Sequence, residues 1–295
     1  MPRSGPRSRR AQRPEPLRGA LYTAARTATA RALASGSLTP LATRAHVVED
    51  AGIHFSVRVV SSLASRPRPE PGRNPFLPYD EDLFVSDVGP DHVCLLNKYP
   101  VLRDHLLIVT RKFEEQESPL ALRDFEALWS VLLERDGLAF YNAGLTAGAS
   151  QPHRHLQVVP TPLGPTPHRT PIDPVIDEAR FDAAVGRTGR FPFHHAVARL
   201  RNLATLPPGV AAQGLHGLYR EMARAFGCER AGRPYNLLIS RDWMLFVPRA
   251  RESWRSISVN ALGFAGALVV HDEAQLERVR AAGPMSLLEH VGVRV

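Results

Sequence analysis

The chain has 295 residues, enough to bury a substantial core as one large or two small domains. Its 44% hydrophobic and 22% charged content is ordinary for a soluble globular protein, and no apolar run reaches the roughly 18 residues of a membrane span, so none is expected. The net charge of +8 suggests an anionic partner, but Arg3, Arg7, Arg9, Arg10 and Arg13 crowd a Pro/Ser/Gly-rich opening without hydrophobic periodicity. Residues 1–16 therefore read as a disordered basic tail without the apolar stretch of a secretory signal, and the charge says little about function.

From Leu17 to about Ser35 the composition is alanine-rich and helix-favouring, and Gly36-Ser-Leu-Thr-Pro40 ends the segment. Ile53 to Val60 alternates in the manner of a strand. Arg66 to Pro75 is a rigid loop rich in proline and arginine, on composition a connector. Leu83–Ser86, His92–Leu96 and His105–Thr110 then read as strands separated by turn residues. Asn97-Lys-Tyr-Pro100 closes the middle strand; Lys98 stands out because the only other lysine is Lys112. An exposed charge at a strand end is the plain reading of it. Ser118-Pro119 reads as a helix start, with the serine as N-cap and the proline at the first helical position. Leu122, Phe125, Leu128, Trp129 and Leu132 follow at helical spacing, and Leu138–Tyr141 returns to the sheet and delivers Asn142.

Gly148-Ala-Ser-Gln-Pro-His-Arg-His-Leu-Gln157 runs from a small-residue turn into a strand. Side chains on a strand alternate faces, so His153, His155 and Gln157 are expected on one side and Arg154, Leu156 and Val158 on the other. Two imidazoles and an amide on one face suit phosphoryl transfer. An imidazole with its ordinary pKa of about 6.5 is mostly neutral at physiological pH and able to attack phosphorus. Covalent catalysis through histidine splits one hard displacement into two easier ones. Gly148, Ala149, Ser150 and Gln151 offer backbone N–H groups, a hydroxyl and an amide, the donors wanted around developing charge on phosphate oxygens. On spacing alone, a surface hairpin that carries two histidines and a metal site both stay open.

Thr161 to about Gly189 is rich in Pro, Asp and Thr and reads as a long loop or partial lid, with His168, His194 and His195 as surface residues in or beyond it. Leu215–Phe226 is a second amphipathic helix. Tyr235–Ser240 and Trp243–Pro248 flank Arg241-Asp242 as a hairpin does, and Ile257–Gly266 follows, with Gly263 and Gly266 permitting a bend. Cys94 and Cys228 are far apart and lack metal-ligand spacing, which fits a reduced, cytoplasmic setting.

Asn142-Ala-Gly144 followed by Gly148–Gln157 resembles the active-site signature of the histidine-triad superfamily. Its His-x-His-x-Gln form is similar to the nucleotidyltransferase branch, which contains the galactose-1-phosphate uridylyltransferases and the diadenosine tetraphosphate phosphorylases. The resemblance to the phosphorylases continues through Asn74-Pro-Phe-Leu-Pro78, Leu95-Leu-Asn-Lys98 and the C-terminal runs, so it covers nearly everything from about Gly36 onward. It implies an α+β fold: a histidine-triad-like antiparallel sheet flanked by helices, with a C-terminal elaboration. Within a nucleotidyltransferase domain over 17–295, the core would span 36–165, the lid or loop 161–189 and the C-terminal part 190–295.

The same resemblance implies roles for particular residues. His155 would be the nucleophile, with His153 orienting the loop or contacting phosphate. Gln157 stands where the hydrolase branch has a third histidine and would hold a non-bridging oxygen. Asn97 and Lys98 would meet nucleotide phosphate or ribose, and Asn142 would bind the nucleotide or orient a histidine. Gly148, Ala149, Ser150 and Gln151 would stabilise phosphate charge. Arg66 takes the place of a family lysine that reaches the phosphates, keeping the charge and changing the hydrogen-bond geometry. Asn260, Ala261 and Leu262 would close over the second nucleotide, and the family tends to place a basic residue near His271.

The implied reaction converts diadenosine tetraphosphate and phosphate to ATP and ADP, reversibly, through an adenylyl-histidine. The expected partners are those four compounds. No tightly bound cofactor is implied; magnesium accompanying the nucleotide stays open, and the cysteine pattern that holds structural zinc in uridylyltransferase relatives is absent. The alternatives are a hydrolase, a nucleotidyltransferase for another base or sugar phosphate, and a nucleotide- or nucleic-acid-binding protein that uses its basic tail.

Overall fold

The computed structural model describes residues 19–60 and 73–295; the predicted basic tail at 1–16 and Arg66 lie outside them. Helix α1 (Ala20–Ser35) ends where Gly36 takes a left-handed φ of 77° and its N–H turns back to the Leu33 carbonyl. A hairpin follows, β1 (Thr43–Asp50) and β2 (Ile53–Val60), turned through Ala51 and Gly52 at positive φ. Sequence reading reaches only its second strand, because β1 is polar and mostly solvent-facing.

In order come β3 (Phe84–Val88), β4 (His92–Leu96), β5 (Leu106–Thr110), α2 (Leu122–Glu134), β6 (Leu138–Asn142) and β7 (His155–Val159). Next are α3 (Asp173–Asp177), the short strands β8 (Arg180–Phe181), β9 (Val185–Arg187) and β10 (Ala196–Arg199), then α4 (Pro208–Ala225) and the hairpin β11 (Tyr235–Ile239) and β12 (Trp243–Pro248). The chain closes with β13 (Ser253–Trp254), β14 (Ile257–Ser258), α5 (Ala261–Phe264), β15 (Ala267–Val270), α6 (Glu273–Ala282) and α7 (Pro284–Val291).

Ten strands form one sheet in the order β3-β4-β5-β7-β6-β11-β12-β10-β9-β8, and every neighbouring pair in it is antiparallel. Alternation gives the sheet two buried faces. On the rear, Cys94, Ile108, Leu156, Ala139 and Leu237 pack against α2 and α4 through Phe125, Trp129, Leu215 and Tyr219. On the front, Phe140, Leu238 and Leu245 pack beneath a second sheet, β1-β2-β15, and beneath α3, α6 and α7. The front of β4, β5 and β7 keeps only a small cluster, Val93, Leu95, Leu107 and Val109 under Phe76. That stretch is where the site lies. The architecture is the α+β fold, an antiparallel sheet flanked by helices, that the sequence implies, and the C-terminal strands β10–β12 extend the same sheet.

Four local expectations are corrected. Helix α2 begins at Leu122, because the Asp124 carboxylate reaches back to the Ala121 N–H at 2.7 Å. Ser118 and Pro119 instead offer their carbonyls to Arg154. The 161–189 segment is more than a loop: it holds α3, β8 and β9, its Leu163, Ile172, Val175 and Ile176 are buried in the front core, and none of its residues lines the cleft. Proline and aspartate spaced among these apolar residues hid short elements. His195 is buried, its Nδ1 donating to the Phe193 carbonyl and its Nε2 accepting from the Thr188 N–H. Finally, β7 starts at His155, and His153 precedes it on an isolated bridge to Glu115.

Candidate active site

The front of β4, β5 and β7 opens onto a cleft of about 890 Å³. Asn97, His105, Leu107 and Gln157 line the sheet side, Phe76 and Pro78 to Asp80 run along one rim, and Ser258 to Asn260, Leu262 and Gly263 with Ala267 to Val269 form the opposite wall. Of the residues anticipated from sequence, Asn97, Lys98, Gly148, Ser150, Gln151, Gln157, Asn260 and Leu262 line the cleft. His153, His155, Asn142, Ala149 and Ala261 are buried just behind that lining.

His155 is 4% exposed and packs against the Phe76 ring, 5.3 Å between centroids. Its Nδ1 donates to the His153 carbonyl at 2.8 Å, which leaves Nε2 as the nitrogen with a free lone pair. Burial pushes its pKa down to about 4; the His153 carbonyl acts in the other direction and the His153 ring in the same one. The ring is therefore neutral at pH 7. Gln116 pins the backbone beneath it: Oε1 accepts from the His155 N–H at 2.8 Å, and Nε2 donates to the His155 and Asn142 carbonyls.

Both nitrogens of His153 are engaged. Nδ1 accepts from the Asn74 amide at 3.0 Å and Nε2 donates to the Thr110 carbonyl at 2.8 Å. This ring anchors the Asn74-Pro-Phe loop and leaves no nitrogen for a phosphate. Its pKa is lowered, by burial first. On the rear face Arg154 bonds Glu114 and Asp124, and Asp124 also bonds His92, so a buried charge network supports the strand from behind.

Gln157 and Asn97 are joined by a residue that sequence reading assigned only to a strand. His105 Nε2 is 2.9 Å from Gln157 Oε1, its Nδ1 is 3.1 Å from Asn97 Nδ2, and the Asn97 Oδ1 accepts from the Tyr99 N–H. Lys98 pairs with Asp80 at 3.7 Å, and both line the cleft. Further cations there are Arg58 and Arg73. The Arg58 Nε is buried without a partner and burial lowers its pKa. A lone charge in the strand pattern of Ile53–Val60 is the signal that could have found it. His271 also lines the cleft.

The Gly148 and Asn260 segments are held together from below. Asn142 Oδ1 accepts from the Ala261 N–H and from Asn236 Nδ2, both at 2.9 Å. Asn236 also donates to the Ala147 carbonyl, and its Oδ1 accepts from Arg249 at 2.6 Å. Arg249, 3% exposed, further donates to the Ala147, Val259 and Val291 carbonyls. Asn142 is thus a brace between two strands and the cleft wall. Gly148 has φ +88°, and a Cβ there would meet the Val259 carbonyl oxygen at 2.8 Å. Among the described residues no group of three or more His, Cys, Asp or Glu side chains is arranged to hold a metal ion.

A neutral histidine with one free nitrogen, at the end of a sheet strand and beside a cation-lined cleft, defines with this fold a histidine-triad-type nucleotidyltransferase. Two family models match the chain: the Ap4A phosphorylase N-terminal domain over residues 11–178 and the ATP adenylyltransferase C-terminal domain over residues 189–294. The chain belongs to the Ap4A phosphorylase family. It is 28% identical over 231 residues to diadenosine 5',5'''-P1,P4-tetraphosphate phosphorylase 2 of Saccharomyces cerevisiae, a match spanning 70% of this chain and 71% of that one. Protein APA1 of the same yeast is 23% identical over 259 residues, spanning 76% and 78% of the two chains. The crystal structure of yeast Ap4A phosphorylase Apa2 in complex with AMP superposes with a TM-score of 0.77 at 25% identity, covering 93% of this chain and 97% of that one. The complex of the same protein with Ap4A gives 0.78 at 24% identity, with the same coverage. No helix among the described residues is long and apolar enough to cross a membrane.

Proposed function

We propose that this protein is a diadenosine tetraphosphate phosphorylase, working reversibly as an ATP adenylyltransferase through an adenylylated His155. The observation that carries the reading is the 2.8 Å bond from His155 Nδ1 to the His153 carbonyl, which commits the ring's one proton and leaves Nε2 as a nucleophile. In the first step Nε2 attacks the α-phosphorus of the dinucleotide, the bond to the bridging oxygen breaks, and ATP leaves. In the second step an oxygen of inorganic phosphate attacks the same phosphorus, the P–N bond breaks, and ADP leaves with the lone pair restored to Nε2. A polyphosphate leaves as a stable anion, so no strong general acid is required, and Gln157 in place of a third histidine fits that demand.

Gln157 holds a non-bridging oxygen of the phosphoryl group, while Lys98, Arg58 and the Gly148–Gln151 donors offset charge along the phosphate chain. Asn260 and Leu262 face the second nucleotide across the cleft. Magnesium enters, in this reading, with the nucleotide, and the setting is the cytoplasm.

The test is product analysis after mixing the protein with diadenosine tetraphosphate, with and without phosphate, beside His155→Ala. Phosphate-dependent ATP and ADP, absent in the variant, is the expected result. ATP and AMP formed without phosphate would make the protein a hydrolase and overturn the role given to Gln157.

A further inference from the structure

We infer that His105 is a positioning residue for the adenylyl transfer: it decides which end of the Gln157 amide faces the phosphoryl group and ties that choice to Asn97. The inference rests on the functional reading above. Gln157 is opposite Leu107 across β5 and β7, and Leu107 is opposite Leu95 across β4 and β5, so His105 and Asn97 follow on the same face of adjoining strands. All three line the cleft.

The proton count fixes the arrangement. Asn97 Oδ1 accepts from the Tyr99 N–H at 3.1 Å, so the amide nitrogen of Asn97 is the end that meets His105 Nδ1, at 3.1 Å. An amide nitrogen only donates, which makes Nδ1 an acceptor. Burial pushes the His105 pKa down to about 4, against the effect of the Gln157 bond and with that of the neighbouring His155 ring, so the ring carries a single proton at neutral pH. That proton is on Nε2 and goes to Gln157 Oε1 at 2.9 Å. The carbonyl end of Gln157 is thereby occupied, and its NH2 is the end left for the cleft. An unconstrained glutamine presents either end, and a carbonyl turned toward a phosphoryl oxygen repels it. His105 removes that choice. Because the same ring receives the Asn97 amide, the groups that hold the nucleotide and the group that receives the developing charge are set by one tautomer.

Two substitutions separate the two bonds. His105→Asn places an acceptor where Nδ1 stood and lacks the donor to Gln157; His105→Gln supplies a donor near Nε2 and lacks the acceptor for Asn97. For diadenosine tetraphosphate phosphorolysis, His105→Asn should lower kcat by about a hundredfold with KM little changed, the size expected of a misplaced catalytic contact. His105→Gln should keep most of kcat and raise KM. In a Gln157→Ala background, His105→Asn should lower kcat no further. Equal loss of kcat and KM in both variants, or additive loss in the double variant, would mean a merely structural ring and overturn the proposal. Independently of any nucleotide, 15N NMR of the histidine rings in the wild-type protein should show His105 as the neutral Nε2–H tautomer; an Nδ1–H tautomer would overturn it. A wild-type protein inactive on the dinucleotide would sink the functional reading and leave the tautomer measurement standing as the test of the ring's arrangement.

Discussion

The Nδ1 of His155 and the carbonyl oxygen of His153 are 2.8 Å apart, a bond made within the motif itself. It commits the proton of His155 to the side away from Nε2. With the His155 pKa held near 4, the nucleophile is lost only as pH falls through about that value, well below the ordinary histidine range. Single-turnover adenylylation by diadenosine tetraphosphate should keep most of its neutral-pH rate at pH 5, measured by rapid quench. The internal phosphates of that substrate do not titrate there, so an acid limb centred near the ordinary value of about 6.5 would contradict the burial argument.

Acid should also destabilise the protein before the carboxylates titrate. His105 and His155 both have folded-state pKa values near 4, below the unfolded value of about 6.5. Between those values the unfolded chain binds more protons, so stability rises with pH and is lost as pH falls from about 6.5 toward 4. The slope approaches about 1.4 kcal/mol per pH unit for each ring. Urea unfolding at several pH values should show it, and His155→Gln should make it shallower.

Gly148→Ala should damage the site through geometry alone. The residue has φ +88°, and the added methyl would meet the Val259 carbonyl oxygen at 2.8 Å and the Asn260 Cα at 2.9 Å. The combined strain is on the order of 1–3 kcal/mol, relieved only by moving the two walls of the cleft apart. We expect at least about a tenfold fall in kcat/KM for a protein that still folds. Unchanged kinetics would mean that the contact is dispensable.

Asn236→Ala should weaken the fold and the cleft together. It removes one of the two donors to the Ala147 carbonyl and one of the two to Asn142 Oδ1, and takes an acceptor from the buried Arg249. Losing these three buried hydrogen bonds costs about 1–3 kcal/mol in all, readable as a lower denaturation midpoint. A midpoint shift without any rise in KM would show that the brace serves stability only.

Lys98→Ala should behave in the opposite way. Its pair with Asp80 is partly exposed at 3.7 Å and contributes little to stability. The denaturation midpoint should stay within error while KM for the dinucleotide rises about tenfold, more so at low ionic strength. A drop in stability with unchanged KM would assign Lys98 to the fold.

Much of this was legible because the central strands announce themselves. His92–Leu96, Leu138–Asn142, Tyr235–Ile239 and Trp243–Pro248 are buried end to end, and their apolar runs stand clear of the turns. Strand β1 was not, since its residues are mostly polar and its place depends on β2. Ser118-Pro119 carried a true capping signal, outcompeted by Asp124 from inside the helix. In the site, the His-x-His-x-Gln spacing brought His155 and Gln157 to one face, but the partners that fix them come from elsewhere. His105 is 52 positions from Gln157, Gln116 is 39 from His155, and Asn236 is 94 from Asn142. Strand register supplies the first and third meetings and the turn after β5 the second, and a linear pattern records neither.

The strand order of the large sheet has a consequence for synthesis. β6 takes its second neighbour from β11, so while the ribosome is still making residues between Val159 and Tyr235 the nascent chain displays a β6 edge with unmatched N–H and C=O groups. Such an edge is a template for pairing with other chains. His155 and Gln157 have by then been made, whereas Asn260 and Leu262 have not. During translation the protein passes through a stage that holds its nucleophile without the far wall of its cleft, and that stage is where chaperone binding and aggregation should concentrate.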